Sequence, residues 1–162
     1  MSDAPELSVF AERCYRDTFA SANTTADLEA FVAATYSLTL QETELANAAI
    51  ITLLGHANES PIAFAQLRLG TPPECVDAND SIELQRFYVC RAAQGCGVAN
   101  ELMAAVVSTV RALRSNVLWL GVWEHNARAM AFYRRHGFAD VGSHVFRMGS
   151  DGQIDRIDVR TL

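Results

Sequence analysis

The sequence predicts an α+β fold, a mixed α/β sandwich in which a mostly antiparallel sheet carries helices on both faces. Three observations predict it. Apolar residues in the first part of the chain recur at helical spacing, and from Ile50 onward they follow the period of strands. The second half then alternates strand, helix, strand, helix, strand and strand, with a glycine-bearing turn after its first strand. This order is typical of one sheet covered on two sides.

Two or three helices are expected before the sheet. Residues 5–20 form the first, because one face collects apolar side chains: Leu7, Phe10, Ala11, Cys14 and Tyr15. Thr25 or Asn23 is expected to cap a second helix that ends near Tyr36, and a short third helix is expected over 41–49.

The first two strands are predicted over 50–55 and 62–69, joined by a polar turn over 56–61. A loop with two prolines follows over 71–80, and the third strand spans 82–89. The segments that complete the second half are the helix 98–113, the strand 117–123, the helix 126–136 that ends at Gly137, and the strands 138–148 and 154–160 joined by a turn over 149–152.

Length and composition favour a single domain, residues 1–162, with an ordinary packed core. The chain has no apolar run of membrane-spanning length and no signal-peptide pattern, so a cytoplasmic protein is expected. The net charge of −6 disfavours nucleic acid and anionic membranes as partners and is compatible with a cationic amine. The four cysteines lack metal-ligand spacing, so no metal is expected. They are expected to be reduced thiols: Cys14, Cys75, Cys90 and Cys96.

The turn Gln94–Ala99 carries the first functional signal. It lies between a predicted strand and a predicted helix, where backbone N–H groups are free and the helix dipole adds positive charge. Gly95 and Gly97 would let a ligand approach the backbone closely. The turn therefore predicts a site for a phosphate or pyrophosphate.

Two motifs in this half of the chain resemble those of the GNAT superfamily of N-acetyltransferases. Gln94-x-x-Gly97-x-Ala99 matches the Q/R-x-x-G-x-G/A acetyl-CoA motif, and Asn126 is followed seven residues later by Tyr133, as in the second cofactor segment of that family. The resemblance covers residues 50–160 and extends in particular to small polyamine/diamine-type acetyltransferases. It implies an acyl-CoA N-acyltransferase fold, acetyl-CoA as cosubstrate and a pair of splayed parallel strands, 82–89 and 117–123.

The resemblance also implies which residues hold the cofactor. The backbone of Phe87 and Val89 would pair with the pantetheine arm, and the Val89 N–H would face the thioester carbonyl oxygen. Asn126 would bond the pantetheine. The residues expected around the pyrophosphate are Gln94, Gly95, Cys96, Gly97, Val98, Ala99 and Asn100.

Two residues are predicted to be catalytic. Tyr133 would give a proton to the leaving thiolate, and its alternative role is that of a core aromatic residue. Glu83 would remove a proton from the amine through water, and strand alternation would put it on one face with Gln85, Phe87 and Val89. Its alternative is an exposed or cation-binding carboxylate. The histidines that remain as candidates for proton transfer or substrate contact are His125, His136 and His144.

The chain departs from the family pattern at two points. Cys96 stands where Lys or Arg is frequent, so Arg91 or Arg128 would have to supply the missing positive charge. The strand that usually opens the family fold is missing or very short, which leaves a sheet edge that a second subunit of a homodimer could cover.

These features predict direct acetyl transfer from acetyl-CoA to the primary amine of a small molecule, polyamine-like or amino-acid-like, in a ternary complex. The alternatives are a non-catalytic acyl-CoA-binding regulatory module, a protein or peptide N-acetyltransferase, and a structural domain without cofactor. The acceptor pocket is expected among aromatic residues that fit a core equally well: Phe10, Tyr15, Phe19, Phe31 and Tyr36.

Overall fold

The structure, a computed structural model, describes residues 3–78, 80–148 and 151–162. It contains a six-stranded sheet of order β1-β2-β3-β4-β6-β5. Its strands are β1 (Ile50–Ala57), β2 (Ser60–Leu69), β3 (Ser81–Val89), β4 (Val117–Trp123), β5 (Ala139–Met148) and β6 (Asp151–Thr161). The helices are α1 (Ala4–Phe19), α2 (Thr25–Tyr36), α3 (Leu38–Ala46), α4 (Val98–Ala112) and α5 (Ala127–Arg135).

All strand pairs are antiparallel except β3 and β4, which run parallel. The predicted α+β class, with one parallel pair in a mostly antiparallel sheet, is confirmed. Within the described residues no strand precedes α1, so β1 forms one edge of the sheet. No helix of the described part is long and apolar enough to cross a membrane.

The two faces of the sheet bury separate cores. One face packs on α4 and α5 through Leu67, Leu84 and Leu118, against Val106 and Tyr133 among others. We call it the α4 face. The opposite face packs on the first two helices through Phe64, and we call it the α1 face. Because both faces are covered, strand residues of either parity are buried, as expected for a sheet between two helix layers.

Several local predictions need correction. Neither Thr25 nor Asn23 caps α2: the cap is Thr24, whose side chain accepts a hydrogen bond from the Asp27 N–H at 3.2 Å. The third helix lies at Leu38–Ala46 instead of 41–49. The first hairpin has a two-residue turn, Asn58 and Glu59, both with positive φ, which lets the strands extend closer together than predicted. The predicted turn over 149–152 falls partly outside the described residues.

Candidate functional site

A fork between β3 and β4 creates the principal opening in the sheet. The two strands pair only over three positions, from Ser81 with Val117 to Glu83 with Trp119. Beyond that point the strands diverge. A cavity of about 1210 Å³ occupies the gap and is lined on its two sides by β3 residues 84–89 and β4 residues 121–123. The predicted splayed strand pair is therefore present.

Backbone groups of β3 point into this gap. The Cys90 N–H donates to the Ile62 carbonyl of β2 at 2.8 Å, so Cys90 faces β2. Since successive residues of a strand direct their backbone groups to alternate sides, Phe87 and Val89 direct theirs away from β2 and toward the fork. Their cofactor-binding role stays a prediction, to which this orientation is relevant.

The turn after β3 exposes backbone donors. Gly95 and Gly97 have φ values of 83° and 89°, and a Cβ built on either would meet no atom within 4 Å. Gly97 is also the N-cap of α4. Within the described residues, the N–H groups of Gly95, Gly97, Val98 and Ala99 have no backbone acceptor. The turn thus offers four donors beside open space, which suits an anionic group.

Gln94 joins the two predicted cofactor segments. Its Nε2 donates to the Val89 carbonyl at 3.0 Å, and its Oε1 accepts from Arg128 Nη1 at 2.6 Å. Because Arg128 lies in the first turn of α5, the Gln94 side chain connects the end of β3 to the start of α5. Arg91 and Arg135 line the same end of the cavity. Three guanidinium groups, those of Arg91, Arg128 and Arg135, therefore border the cavity, whereas Cys96 contributes no positive charge.

Asn126 caps α5 and faces the cavity at the same time. Its Oδ1 accepts from the Ala129 N–H at 3.1 Å, while the described residues give its Nδ2 no partner. The cap uses the oxygen and leaves the amide N–H groups for a ligand. The two roles considered for Asn126 are compatible.

Tyr133 is buried and lines the cavity. Its ring packs against Phe87, Phe132 and Phe138 at centroid distances of 6.3, 5.6 and 5.6 Å. Burial, reinforced by the negative charge of Asp158, raises the pKa of the phenol above its usual value of about 10. The residue therefore belongs to the core and to the cavity wall, and its hydroxyl stays protonated at ordinary pH.

Glu83 is not placed as predicted. A β-bulge lies in β3, where Gln66 pairs with Arg86 but Leu67 pairs with Leu84, so Gln85 is an extra residue. The bulge shifts the alternation by one. Glu83 pairs with Arg68 and lies on the α1 face, whereas Phe87 packs on the α4 face. The predicted common face of Glu83, Gln85, Phe87 and Val89 is therefore wrong.

Glu83 also does not line the cavity. Burial raises the pKa of its carboxyl, and the charges of Arg68, His144 and Arg86 oppose that effect. Its surroundings are thus a group of charged side chains on the α1 face beside the closed end of the fork.

Some predicted phosphate-side residues contribute less than expected. The exposed Cys96 does not line the cavity, and its N–H donates to the Ala93 carbonyl at 3.4 Å. The side chain of Val98 packs against the α4-face core, so only its backbone faces the turn. The Asn100 Oδ1 lies 3.1 Å from His136 Nε2, a contact that links α4 to the end of α5.

Among the lining residues that the sequence did not single out, a carboxylate is the most informative. Asp155 of β6 lines the cavity with a side chain that is 16% exposed. Its Oδ2 lies 3.8 Å from Nε2 of the more exposed His144. Burial raises the pKa of the Asp155 carboxyl, and His144 opposes the shift. His125 instead stands exposed beside Trp123, with ring centroids 5.2 Å apart.

Apart from Arg16 and Arg86, whose guanidinium groups are ion-paired with glutamates, the charges around the cavity differ in sign between its two ends. The turn end carries Arg91, Arg128 and Arg135, and the far end carries Asp17 and Asp155. Positive charge and free N–H groups at one end, with carboxylates at the other, suit a phosphate-bearing ligand facing a cationic one. The turn, the fork and the guanidinium groups fit the parts of acetyl-CoA. Among the described residues, no three His, Cys, Asp or Glu side chains form a group that could hold a metal ion.

Comparisons with known proteins agree with this geometry. Residues 11–138 match the model of the acetyltransferase (GNAT) family. An uncharacterised N-acetyltransferase of Mycobacterium bovis is 30% identical over 162 residues, which is 100% of this chain and 99% of that protein. An uncharacterised N-acetyltransferase of Lactobacillus delbrueckii subsp. lactis is 29% identical over 94% of this chain and 88% of its own length.

Solved structures share the fold at low sequence identity. The PaiA N-acetyltransferase of Thermoplasma acidophilum, crystallised with coenzyme A, superposes with a TM-score of 0.75 at 19% identity, covering 99% of this chain and 93% of that one. A ribosomal-protein-alanine N-acetyltransferase of Brucella melitensis gives 0.71 at 23% identity, with 99% and 94% covered. Family match, full-length relatives and site geometry together show that this chain belongs to the GNAT family and is an acetyl-CoA-dependent N-acetyltransferase.

Proposed function

We propose that this protein acetylates the primary amine of a small molecule by direct transfer within a ternary complex. The observation that carries the proposal is one continuous cavity that is lined by the glycine turn, by both strands of the fork and by the carboxylate of Asp155. A cofactor arm and an amine can therefore enter from opposite ends and meet between β3 and β4. No covalent enzyme intermediate is required.

The reaction balances without another reactant. Acetyl-CoA supplies the acetyl group as a thioester. The ammonium substrate loses one proton before attack and a second as the amide forms, and a C–N bond forms as the C–S bond breaks. The thiolate takes up one of these two protons, so that an amide, a free thiol and one net proton result. The Val89 N–H, directed into the fork, can donate to the oxygen on which negative charge develops.

Tyr133 is proposed to stabilise the leaving sulfur. Its raised pKa keeps the proton on the phenol, which favours hydrogen-bond donation to a developing thiolate. The same burial and the nearby Asp158 disfavour the phenolate. We therefore assign Tyr133 mainly to charge stabilisation through its O–H, with complete proton transfer opposed by its surroundings.

The bulged Gln85 offers a further contact to the ligands. It lines the cavity, and its buried Oε1 has no hydrogen-bond partner among the described residues. A buried acceptor without a partner is costly, and a ligand N–H would remove that cost. Glu83 remains a predicted base on sequence grounds, but its position outside the cavity gives that role no geometric support.

The proposal is tested by two measurements on the purified chain. Calorimetry with acetyl-CoA measures cofactor binding, and a thiol-release assay measures turnover with polyamines, amino acids, other small primary amines and a peptide that begins with alanine. We expect binding and release with at least one small amine. Release with the peptide alone would replace a small acceptor with a protein terminus, and binding without any release would contradict the proposed transfer to these classes.

A further inference from the structure

The geometry points to an amine with a flat, apolar body as the acceptor. We propose that the substrate is a primary amine on a short arm attached to an aromatic ring, with its ammonium group held by Asp155. This inference rests on the proposed function and names the substrate class of the same cavity. Four observations carry it.

The first is the aromatic wall of the acceptor end. Six aromatic side chains from four elements line this end, namely Tyr15 and Phe19 of α1, Phe31 and Tyr36 of α2, Trp123 of β4, and Phe146 of β5. They contact one another as a continuous group: Tyr15 stacks on Phe31 at 4.7 Å, Phe31 meets Phe146 at 5.7 Å, and Phe19 meets Trp123 at 6.1 Å. Such a surface recognises a ring by offset or edge contacts.

The second is the position of the carboxylate. Asp155 pairs in register with Trp123 on β4 and with His144 on β5, so the three side chains lie side by side on the α1 face. Gly121 has no side chain that could cover the carboxylate. A Cβ at this position would lie 3.5 Å from Asp155 Oδ2. The acid is thus open to the cavity at the foot of the aromatic wall.

The third is the charge balance of this end. Arg16 also lines it, but its guanidinium is held by Glu12 at 2.8 Å and by Glu29 at 2.6 and 2.8 Å. The pairing removes Arg16 as a competitor for Asp155 or a source of repulsion for an ammonium group, and it leaves His144, 3.8 Å from the carboxylate, as the basic side chain beside it. A carboxylate bordered by aromatic faces suits a cation, which gains from both.

The fourth observation disfavours a long polyamine. Each buried ammonium group of such a substrate needs its own anionic partner. Within the described lining of the acceptor end, Asp155 is the largely buried carboxylate and Asp17 stands exposed at the rim. One inward charge and a wide apolar wall match a monoamine better than a chain of several cations.

The first test measures binding without turnover. Phenethyltrimethylammonium carries a ring and a fixed positive charge and cannot be acetylated, and butyltrimethylammonium is its alkyl counterpart. Titrations followed by tryptophan fluorescence use Trp123 in the cavity wall as a reporter, and calorimetry confirms them. We expect the aryl compound to bind about tenfold more tightly than the alkyl compound. Asp155→Asn is expected to weaken aryl binding by about tenfold, because it removes the charge–charge attraction to the trimethylammonium group, which has no N–H to donate.

The matched control is Asp77→Asn, which removes the same charge in a loop outside the cavity. Its affinity should stay within about twofold of the unmodified protein, as expected for a distant exposed site. Phe146→Leu should reduce the aryl preference while thermal unfolding shows that the fold is kept. Equal binding of the aryl and alkyl compounds, or equal effects of the two aspartate substitutions, would overturn the inference.

The second test separates this inference from the proposed function. Thiol release is measured with 2-phenylethylamine and tryptamine against spermidine and the alanine peptide. We expect the aryl amines to have the higher kcat/KM. Turnover of spermidine or the peptide with none for aryl amines would overturn the aryl substrate class and leave acetyl transfer intact. Asp155-dependent aryl binding with no turnover for any amine would support the pocket and contradict the proposed transfer.

Discussion

The glycines of the turn act through backbone conformation. Gly97 has a φ of 89°, and the space where a Cβ would lie is open, so packing within the protein does not exclude a side chain at this position. An L-residue in this region costs about 1–2 kcal/mol, and its methyl group would project toward the anion site. Glycine is therefore favoured at this position for two reasons: the positive φ and the access of a ligand to the backbone.

Gly97→Ala is expected to lower stability by about 1–2 kcal/mol and to weaken acetyl-CoA binding by about tenfold, the value of one lost donor contact. Urea unfolding and calorimetry measure the two effects. Gly70→Ala is the control, because a Cβ there also meets nothing within 4 Å and its φ lies outside the left-handed region. Unchanged acetyl-CoA affinity in Gly97→Ala would show that the turn does not bind the phosphates of the cofactor.

Tyr133→Phe keeps the ring that packs against Phe87 and Phe138 and removes only the hydroxyl. We expect kcat to fall by about 10²-fold, with the dissociation constant of CoA nearly unchanged. Tyr88→Phe serves for comparison: that phenol is hydrogen-bonded to Tyr36 on the α1 face, so its loss should cost stability more than turnover. An unchanged kcat in Tyr133→Phe would leave the residue a core aromatic only.

Asp158 should make stability depend on pH. It is buried, and burial together with the charge of Asp140 raises the pKa of its carboxyl above the usual 3.8. Between the unfolded and folded pKa values the native state holds the proton and the unfolded state does not, so the contribution of Asp158 to stability declines as pH rises through that window.

Asp158→Asn removes this decline. Its gain in unfolding free energy relative to the unmodified protein should be smallest below the unfolded pKa and should grow as pH rises to neutrality. Urea unfolding at several pH values measures it, with the exposed Asp77→Asn as control. A gain that is independent of pH would contradict the assignment.

At the scale of elements, a buried ion pair attaches α3 to the sheet. Glu44 of α3 accepts from Arg86 Nη1 of β3 at 2.5 Å, and Arg86 also donates to Gln66 of β2. The Arg86 guanidinium lies 5.2 Å from the ring centre of Tyr36. This group fixes the first helices over β3, beside the strand segment that borders the fork.

Removal of one partner should be more damaging than removal of both. Glu44→Gln is expected to cost about 3–5 kcal/mol because it leaves a buried, uncompensated guanidinium. The double variant Glu44→Gln, Arg86→Met should recover part of that loss. Urea unfolding of the two single variants and the double variant gives the coupling energy, and strictly additive losses would show that the pair is not coupled.

The alternation of strand residues shows where sequence reasoning succeeds and where it fails. The turn, the helices around it and the Asn126–Tyr133 spacing are local, so the sequence predicted the fold class and the splayed strand pair, while the cofactor residues stay a prediction. The bulge at Gln85 has no local signal in the sequence, and it reversed the predicted face of Glu83. Asp155 joins the acceptor end through pairing with β4 and β5, a relation between distant segments that a single sequence does not contain. On β6, strand alternation places Asp155 on the same face as Gln153 and Ile157, and this pattern was the sequence signal that could have indicated its position.

At the scale of the whole molecule, a chain of net charge −6 places three of its 13 basic residues beside the glycine turn. Arg91, Arg128 and Arg135 surround the turn end of the cavity. A local positive potential within an acidic protein directs an anionic cofactor to one entrance and leaves the opposite entrance to cations.

Affinity for CoA should therefore fall as salt concentration rises, because exposed guanidinium–phosphate attraction is screened. Pantetheine, which lacks phosphates, should show no such dependence. Arg91→Gln should reduce the salt dependence for CoA, and Arg147→Gln on exposed β5, which does not line the cavity, should not. Calorimetry at several salt concentrations measures this, and equal salt dependence for the two ligands would contradict it.

The extra residue in β3 also bears on how the protein can change. Deleting Gln85 would restore one unbroken alternation and rotate one half of the strand against the other, so that either the Ile82–Leu84 part or the Arg86–Val89 part would present its side chains to the wrong layer. The two halves of this continuous strand thus depend on the extra residue to keep their side chains on the correct faces. Single-residue insertions and deletions here should be far more harmful than substitutions, and a deletion scan along β3 would show its sharpest loss of folding at this position.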